Sequence, residues 1–253
     1  MTKFYFTDTI YLDNNKLYYE SNDIIKEVKK HNWHKILNNY GWEKLNPKWI
    51  KKLNSLSKHV YNNALYGALD CGGDGDCLFH CISQALKSKN YLNLDVECEV
   101  SDLRQLVCDN IDYDKFTEII GIYKILKDSD DFDEEWDPYE IDFDEFKEML
   151  LEGGNQYWGD NIVLNILKEK LDVNIIILNS DSNQNNYDYY PLLYDYDETL
   201  NTIILLYEDC IHFKLVGNFR DNNMITYFDN TTIPNEILKL INQIYWARFM
   251  SIN

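Results

Sequence analysis

The chain has 253 residues, of which 45% are hydrophobic and 15% are aromatic, enough apolar material for a folded core and too much for a disordered chain. Its formal net charge of -19 argues against a function that neutralises nucleic-acid phosphates across a broad surface. The longest apolar runs have the length of a strand, and Asp8 and Asp13 come too early for a secretory signal. The protein is therefore expected to be cytoplasmic, with neither nucleic acid nor a membrane as its partner.

Residues 1–60 are predicted to form a helical N-terminal extension. Residues 1–20 alternate enough for a strand or an extended arm. Over residues 22–40 the apolar positions recur at helical spacing, which predicts a first helix. A second helix is predicted from Pro47, with Asn46 as its N-cap. Lysines are frequent in this quarter, and a solvated helix face is favoured over a dedicated binding patch.

Residues 61–220 are predicted to form the central domain, and residues 221–253 to add a strand and a helix packed on it. A glycine-rich turn at 72–75 runs into an amphipathic helix. Further helices are predicted at 100–110 and 161–171, and strands at 173–179, 202–207 and 212–216. Mixed helices and strands without repeats indicate one α+β unit.

Residues 128–148 form an acidic run with interleaved aromatic residues. Such a run suggests a calcium site, but the spacing of an EF-hand loop, with its glycine and closing glutamate, is missing. A solvated helix or loop whose aromatic side chains dock on the core is the favoured interpretation.

Cys77 differs from the other five cysteines because a glycine-rich turn precedes it and a predicted helix follows it. Gly72, Gly73 and Gly75 permit the tight turn that such a loop requires. Asp76 is predicted to cap the helix, which places the Cys77 sulfur at a helix N-terminus. Backbone N–H groups there favour a thiolate, lower its pKa and can receive an oxyanion.

A nucleophilic cysteine also needs a base, most often a histidine that is distant in sequence. His212 begins a predicted strand directly after a turn, where a base can be presented, whereas His80 lies on the same helix as Cys77. Taken alone, a cysteine at a helix start and a histidine at a strand start are more often structural than catalytic. Zinc binding by Cys71, Cys77, His80 and Cys81 is disfavoured because their spacing matches no zinc motif. No metal and no organic cofactor is expected.

Four ordered segments of the chain resemble the ovarian-tumour (OTU) family of cysteine deubiquitinases. Residues 74–79, Asp-Gly-Asp-Cys-Leu-Phe, are similar to the family's D-G-[DN]-C-L-[FY] signature. Residues 103–107 resemble the family's helix that follows the catalytic helix. Residues 158–160, with the predicted helix and strand after them, resemble the family's W-G unit. Residues 212–213 resemble its H-[YFW] strand. The resemblance covers about residues 65–220 of the chain. Its composition is also similar to that of OTU-like proteins of large DNA viruses.

The resemblance implies an α+β, papain-type fold with a small central sheet between helical subdomains. It also implies a thiol protease that hydrolyses isopeptide bonds at the C-terminus of ubiquitin or a ubiquitin-like modifier, with polyubiquitin chains as partners. The site residues that it implies are the nucleophile Cys77, the general base His212, the oxyanion-loop residues Asp74, Gly75 and Asp76, and the channel residue Trp158. The protein would act in the host cytoplasm or in a virion if it is viral.

The chain departs from the family pattern after the histidine. Many members carry Asp or Asn two residues later to orient the ring, whereas this chain has Lys214, which cannot accept a hydrogen bond. The acceptor is expected to be a backbone carbonyl, Asn218, or a carboxylate earlier in the chain. A catalytically weak or inactive protein that binds ubiquitin, or a virion protein, is the alternative function. Residues 1–60 are a candidate recognition element, so deletion of residues 1–45 is expected to leave a folded protein.

Overall fold

The structure is a computed structural model, and it describes the backbone of residues 4–5, 7–57, 65–89, 98–132, 136–180, 191–193 and 196–251. The sequence also predicts a polar, tyrosine-rich loop or hairpin tip at residues 180–200, and that segment lies mostly outside the described residues. No helix in the described part of the chain is long and apolar enough to cross a membrane.

The N-terminal segment folds as an antiparallel four-stranded sheet in the order β1-β2-β3-β4. Its strands are β1 (Phe4–Tyr5), β2 (Ile10–Asp13), β3 (Lys16–Ser21) and β4 (Ile24–Glu27). The predicted helix over 22–40 is therefore wrong. Asn22 and Asp23 both adopt left-handed backbone angles, which form a tight hairpin turn between β3 and β4. The helical part is confined to α1 (Trp33–Ile36) and the 3-10 turn Leu37–Tyr40.

The central sheet has eight strands, and β5-β6-β10-β9-β7-β8 is the order of six of them. These are β5 (Trp42–Lys44), β6 (Tyr66–Leu69), β7 (Val173–Ser180), β8 (Pro191–Leu193), β9 (Asn201–Glu208) and β10 (His212–Arg220). The short strands β11 (Asn223–Ile225) and β12 (Tyr227–Phe228) pair with β10 and β9. The sheet is larger than the small one expected, because segments before residue 61 and after residue 220 add strands to it.

Helices cover both faces of this sheet. They are α2 (Pro47–Leu56), α3 (Cys77–Lys89), α4 (Val100–Asp109), α5 (Tyr113–Asp128), α6 (Phe143–Glu152), α7 (Asn161–Leu171) and α8 (Asn235–Ser251). One core holds apolar residues of α3 to α7, and a second core on the other face holds those of α2 and α8. This arrangement confirms the predicted α+β class.

The predicted acidic run contains a helix rather than a loop alone. Asp142 caps α6 by accepting the backbone N–H of Glu145, and Glu145 returns the bond in a capping box. Phe146 is fully buried, and Phe132 and Trp136 pack against the same core. Phe132, Trp136 and Phe146 therefore dock on the core, as the sequence predicted, while the carboxylates of the run that the structure describes are exposed, with Asp137 half-exposed.

Candidate active site

The loop between β6 and α3 presents Cys77 as the first residue of a helix. Gly72 and Gly75 have φ angles of 134° and 86°, which only glycine adopts without strain. Asp74 is exposed and has a φ of 56°, a left-handed conformation that aspartate tolerates better than most residues. The glycine-rich turn and the helix start at Cys77 are thus present as predicted.

The Cys77 thiol is half-buried between the start of α3 and the start of β10. Burial is the largest influence on its pKa and raises it, whereas hydrogen bonds from the backbone of Phe213, Leu78 and Cys77 act in the opposite direction. The net shift is upward, which is opposite to the prediction from the helix N-terminus alone. Desolvation of the thiolate outweighs the backbone N–H groups in the substrate-free protein. Activation of this thiol consequently depends on a neighbouring base.

His212 is the first residue of β10, and its ring is hydrogen-bonded to an aspartate that precedes the cysteine. The Nε2 atom lies 3.2 Å from Oδ1 of Asp70, a residue directly after β6. Strands β6 and β10 pair antiparallel with Leu69 opposite Leu215, so the end of one strand meets the start of the other. With Nε2 engaged by Asp70, the Nδ1 atom is left to exchange a proton with a thiol.

Asn218 is not the acceptor for His212. It lies six residues further along β10, about 20 Å at the rise of a strand, and pairs in register with Tyr66 and Ile225. The sequence had left open a carboxylate earlier in the chain, and Asp70 is in that position. Sequence reasoning did not single it out, although a carboxylate between a buried strand and a cysteine loop was a usable signal.

Lys214 occupies the position where many family members carry the acceptor, and it has other partners. Its Nζ lies 2.7 Å from Glu43 on β5 and 2.7 Å from Glu208 on β9. The side chain is only 14% exposed, and its hydrogen bonds to the two glutamates raise its pKa against the opposing effect of burial. Lys214 therefore links β10 to β5 and β9 through ion pairs beside His212.

The sequence predicted that the Asp76 side chain caps α3, but this side chain has other partners. Its Oδ1 accepts Nε–H of Arg104 at 2.7 Å, and its Oδ2 accepts the backbone N–H of Gly154 at 3.1 Å. The segment that begins at Gly153 thus lies against the cysteine loop. Sequence reasoning gave Arg104 no role, because its hydrogen-bond partners are 28 or more residues away.

Trp158 is 43% exposed near the start of α3. Its neighbour Gly159 packs so closely on Leu78 that any Cβ there would overlap the Leu78 side chain. Leu78 directly follows Cys77, so the segment that carries Trp158 lies beside the nucleophile. Within the described residues, no group of three or more His, Cys, Asp or Glu side chains is arranged to hold a metal ion.

Comparison with known proteins assigns the chain to a family. The family model for OTU-like cysteine proteases matches residues 72–213, a span that begins in the glycine turn and includes both Cys77 and His212. Because that match covers more than half of the chain, the chain belongs to the OTU-like cysteine protease family. The resemblance seen in the four sequence segments, and the fold that it implied, are confirmed.

Solved structures similar to this chain are also OTU domains. The OTU domain of OTUD1 shares 16% identity over 75% of this chain and 94% of its own, with a TM-score of 0.39. An OTU deubiquitinase from Wolbachia pipientis wMel bound to ubiquitin shares 18% identity over 63% of this chain and 98% of its own, with a TM-score of 0.44. The viral OTU domain protease from Dera Ghazi Khan virus shares 14% identity over 67% of this chain and 88% of its own, with a TM-score of 0.36. No curated protein matches the chain.

Proposed function

We propose that the protein is a deubiquitinating cysteine protease that hydrolyses isopeptide bonds at the C-terminus of ubiquitin or a ubiquitin-like modifier. The observation that carries this proposal is the hydrogen bond between His212 and Asp70 at the start of β10, where the next residue, Phe213, donates its backbone N–H to the Cys77 thiol. A base, its orienting acceptor and a thiol form the arrangement used by cysteine proteases. Cys77 and His212 lie within the segment that matches the family model, and Asp70 lies two residues before that segment.

The mechanism is an acyl transfer in two stages. His212 takes the proton of the Cys77 thiol, and the thiolate attacks the carbonyl carbon of the modifier's terminal glycine. The loop formed by Asp74, Gly75 and Asp76 receives the developing oxyanion through backbone N–H groups, although that of Asp76 donates to the carbonyl oxygen of Gly73 in the substrate-free protein. The imidazolium then protonates the leaving lysine amine, and His212 activates a water molecule that hydrolyses the thioester. Asp70 keeps the ring oriented through both stages.

The partners are ubiquitin-like modifiers and their chains. Trp158, exposed beside the start of α3, lines the channel for the modifier's C-terminal tail. The net charge of -19 suits a modifier whose surface is basic around that tail. All six cysteines are free thiols, which suits a reducing compartment such as the cytoplasm.

One observation favours a second candidate, a ubiquitin-binding protein with little or no turnover. Burial raises the pKa of the Cys77 thiol, so the resting nucleophile is mostly protonated at neutral pH. A ubiquitin probe with a C-terminal propargyl group separates the two candidates. Covalent labelling of Cys77 supports the protease, whereas reversible binding without labelling supports the second candidate.

The test of the proposed function is cleavage of a panel of ubiquitin dimers by the full chain. Wild type should cleave at least one linkage, and Cys77→Ala should cleave none while still binding the modifier. Cys98→Ala is a matched control, because Cys98 is also a half-buried free thiol but lies before α4. Turnover that survives in Cys77→Ala would eliminate the thiol mechanism.

A further inference from the structure

Arg104 is a buried arginine whose guanidinium is fully engaged. It is only 2% exposed, and its charged group lies over the ring of Phe79 with 4.4 Å from Cζ to the ring centroid. Nη1 donates to the carbonyl of Leu150 at 2.9 Å, and Nη2 donates to the carbonyl of Tyr157 at 3.2 Å. Nε and Nη2 both donate to Oδ1 of Asp76. A buried charge is tolerated only with such compensation, so this position is specified closely.

Asp76 connects that arginine to the segment that approaches the nucleophile. The residue directly precedes Cys77, and its second carboxylate oxygen accepts the backbone N–H of Gly154 at 3.1 Å. One carboxylate therefore bridges α4 and the 153–158 segment. Because its backbone is part of the cysteine loop, a change in the position of Asp76 would alter both at once.

The segment 153–158 is fitted closely against this ion pair. Gly153 and Gly154 have φ angles of 77° and 65°. A Cβ at Gly153 would lie 3.3 Å from Oδ2 of Asp76, and one at Gly154 would lie 3.4 Å from the carbonyl oxygen of Asp74. The segment is therefore in van der Waals contact with the cysteine loop, and the left-handed φ angles of both glycines disfavour a side chain at either position.

The other end of the segment is also fixed. The hydroxyl of Tyr123 donates to Asp160, which caps α7 through the backbone N–H groups of Ile162 and Val163. Tyr157 is buried and its hydroxyl contacts that of Tyr123. Trp158 is thus an exposed side chain between two anchored points.

We propose that Asp76 and Arg104 are positioning residues, which hold the segment 153–158 and its Trp158 at a fixed distance from the Cys77 loop so that the modifier's tail can be received. The inference rests on the proposed function and deepens it. Neither side chain contacts a reacting atom. Their effect is on the geometry of the channel, and a misplacement of about 1 Å at such a site costs about 100-fold in rate.

The experiment uses full-length Asp76→Asn, which keeps the shape of the side chain but replaces one acceptor oxygen by a donor. Labelling by the ubiquitin propargyl probe should slow by about tenfold or more, whereas alkylation of Cys77 by iodoacetamide should stay within about threefold. Amide hydrogen exchange over residues 153–158 should accelerate, while α4 and α6 stay protected. In turnover of a ubiquitin–aminocoumarin substrate, kcat/KM should fall by about tenfold or more, in parallel with the probe labelling.

A second variant addresses the case in which Asp76→Asn does not fold. Gly154→Ala leaves the ion pair with Arg104 intact but strains the segment, because Gly154 has a φ of 65°, which L side chains rarely adopt. It should therefore show the same contrast between probe and iodoacetamide. Asp137→Asn is the control, because it removes an exposed ion pair with Lys127 outside the site. It should behave as wild type in every assay.

The outcomes separate this inference from the proposed function. A wild type that the probe does not label refutes the protease, and the exchange experiment then still decides whether Asp76 holds the segment. If Asp76→Asn and Gly154→Ala both show the probe-labelling rate and the amide hydrogen exchange of wild type, the inference is overturned. Equal losses of probe labelling, iodoacetamide alkylation and thermal stability would also overturn it, since they indicate a general structural role.

Discussion

Asp70→Ala should slow hydrolysis of a ubiquitin–aminocoumarin substrate by about five- to thirtyfold, which corresponds to about 1–2 kcal/mol. This range follows from two features of the hydrogen bond to His212. The 3.2 Å between Nε2 and Oδ1 is longer than is usual for charge-assisted hydrogen bonds, and the Asp70 side chain is 56% exposed, so water screens the pair. A buried, short bond would contribute more. The orienting acceptor here is therefore useful to the base without being essential.

The measurement is kcat/KM for Asp70→Ala, Asp70→Asn and wild type under identical conditions. Asparagine keeps an oxygen that accepts the ring N–H, so Asp70→Asn should stay within about threefold of wild type. Asp128→Ala serves as the control, because Asp128 is an exposed carboxylate that accepts a hydrogen bond from Tyr139 on the surface. Its kcat/KM should equal that of wild type.

Two results would refute this reasoning about Asp70. If Asp70→Ala changes kcat/KM by less than twofold, Asp70 does not orient His212 in the working enzyme. If Asp70→Ala and Asp70→Asn both lose as much activity as a variant without the histidine, Asp70 acts on more than the orientation of the ring.

Two other substitutions have defined outcomes. His212→Ala should lower kcat by about 10²–10⁴-fold on the same substrate, and a loss below about tenfold would show that His212 is not the base. In that variant, the rate of Cys77 alkylation by iodoacetamide should keep rising with pH beyond the ordinary pKa range of a thiol. The reason is that burial raises the pKa of the Cys77 thiol and only the thiolate reacts. A rate that levels off near neutral pH would contradict this. Lys214→Met should leave kcat within about threefold of wild type, since Asp70 is the acceptor for His212. It should lower the free energy of unfolding in urea by about 1 kcal/mol, because it removes partly exposed ion pairs. A large loss of kcat would implicate Lys214 in catalysis.

Elements with strong local signals were predictable from the sequence. Asn46 accepts the backbone N–H of Lys48 and Pro47 begins α2, as the cap pattern predicted. Asp160 caps α7, which runs over the predicted residues 161–171. The hairpin of β9 and β10 also lies where two short, mainly apolar segments, 202–207 and 212–216, flank a turn. In each of these cases the information is contained in a few neighbouring residues.

The remaining features depend on contacts between distant residues. Ile24 and Ile25 fit either a helix or a strand by spacing, and the hairpin turn before them decides for a strand. Asp70 and His212 are 142 residues apart in the sequence, and only the pairing of β6 with β10 brings them together. The effect of burial on Cys77 likewise comes from packing, whereas the sequence shows only the favourable helix start.

The N-terminal segment yields the last prediction, which reverses the one made from sequence. Trp33 is fully buried against the main core and stacks on Phe219 with ring centroids 6.1 Å apart. Gly67 of β6 leaves no room between Trp33 and Trp42, since a Cβ there would lie 2.9 Å from each ring. Deletion of residues 1–45 removes both tryptophans and strand β5, so the truncated chain should be insoluble or unfolded.

The magnitude supports that expectation. Truncating one buried tryptophan to alanine costs about 3–5 kcal/mol, and a whole domain is stable by only about 5–15 kcal/mol. Trp33→Ala should therefore lower the thermal midpoint strongly in a circular-dichroism melt. Ile24→Ser with Ile25→Ser is the matched comparison, because these side chains belong to the same segment but are 55% and 53% exposed. This double variant should melt as wild type, and a raised KM in it would assign a recognition role to the outer face of the segment. A soluble 1–45 deletion with the thermal midpoint of wild type would refute the structural role, because the core would then be complete without the N-terminal tryptophans.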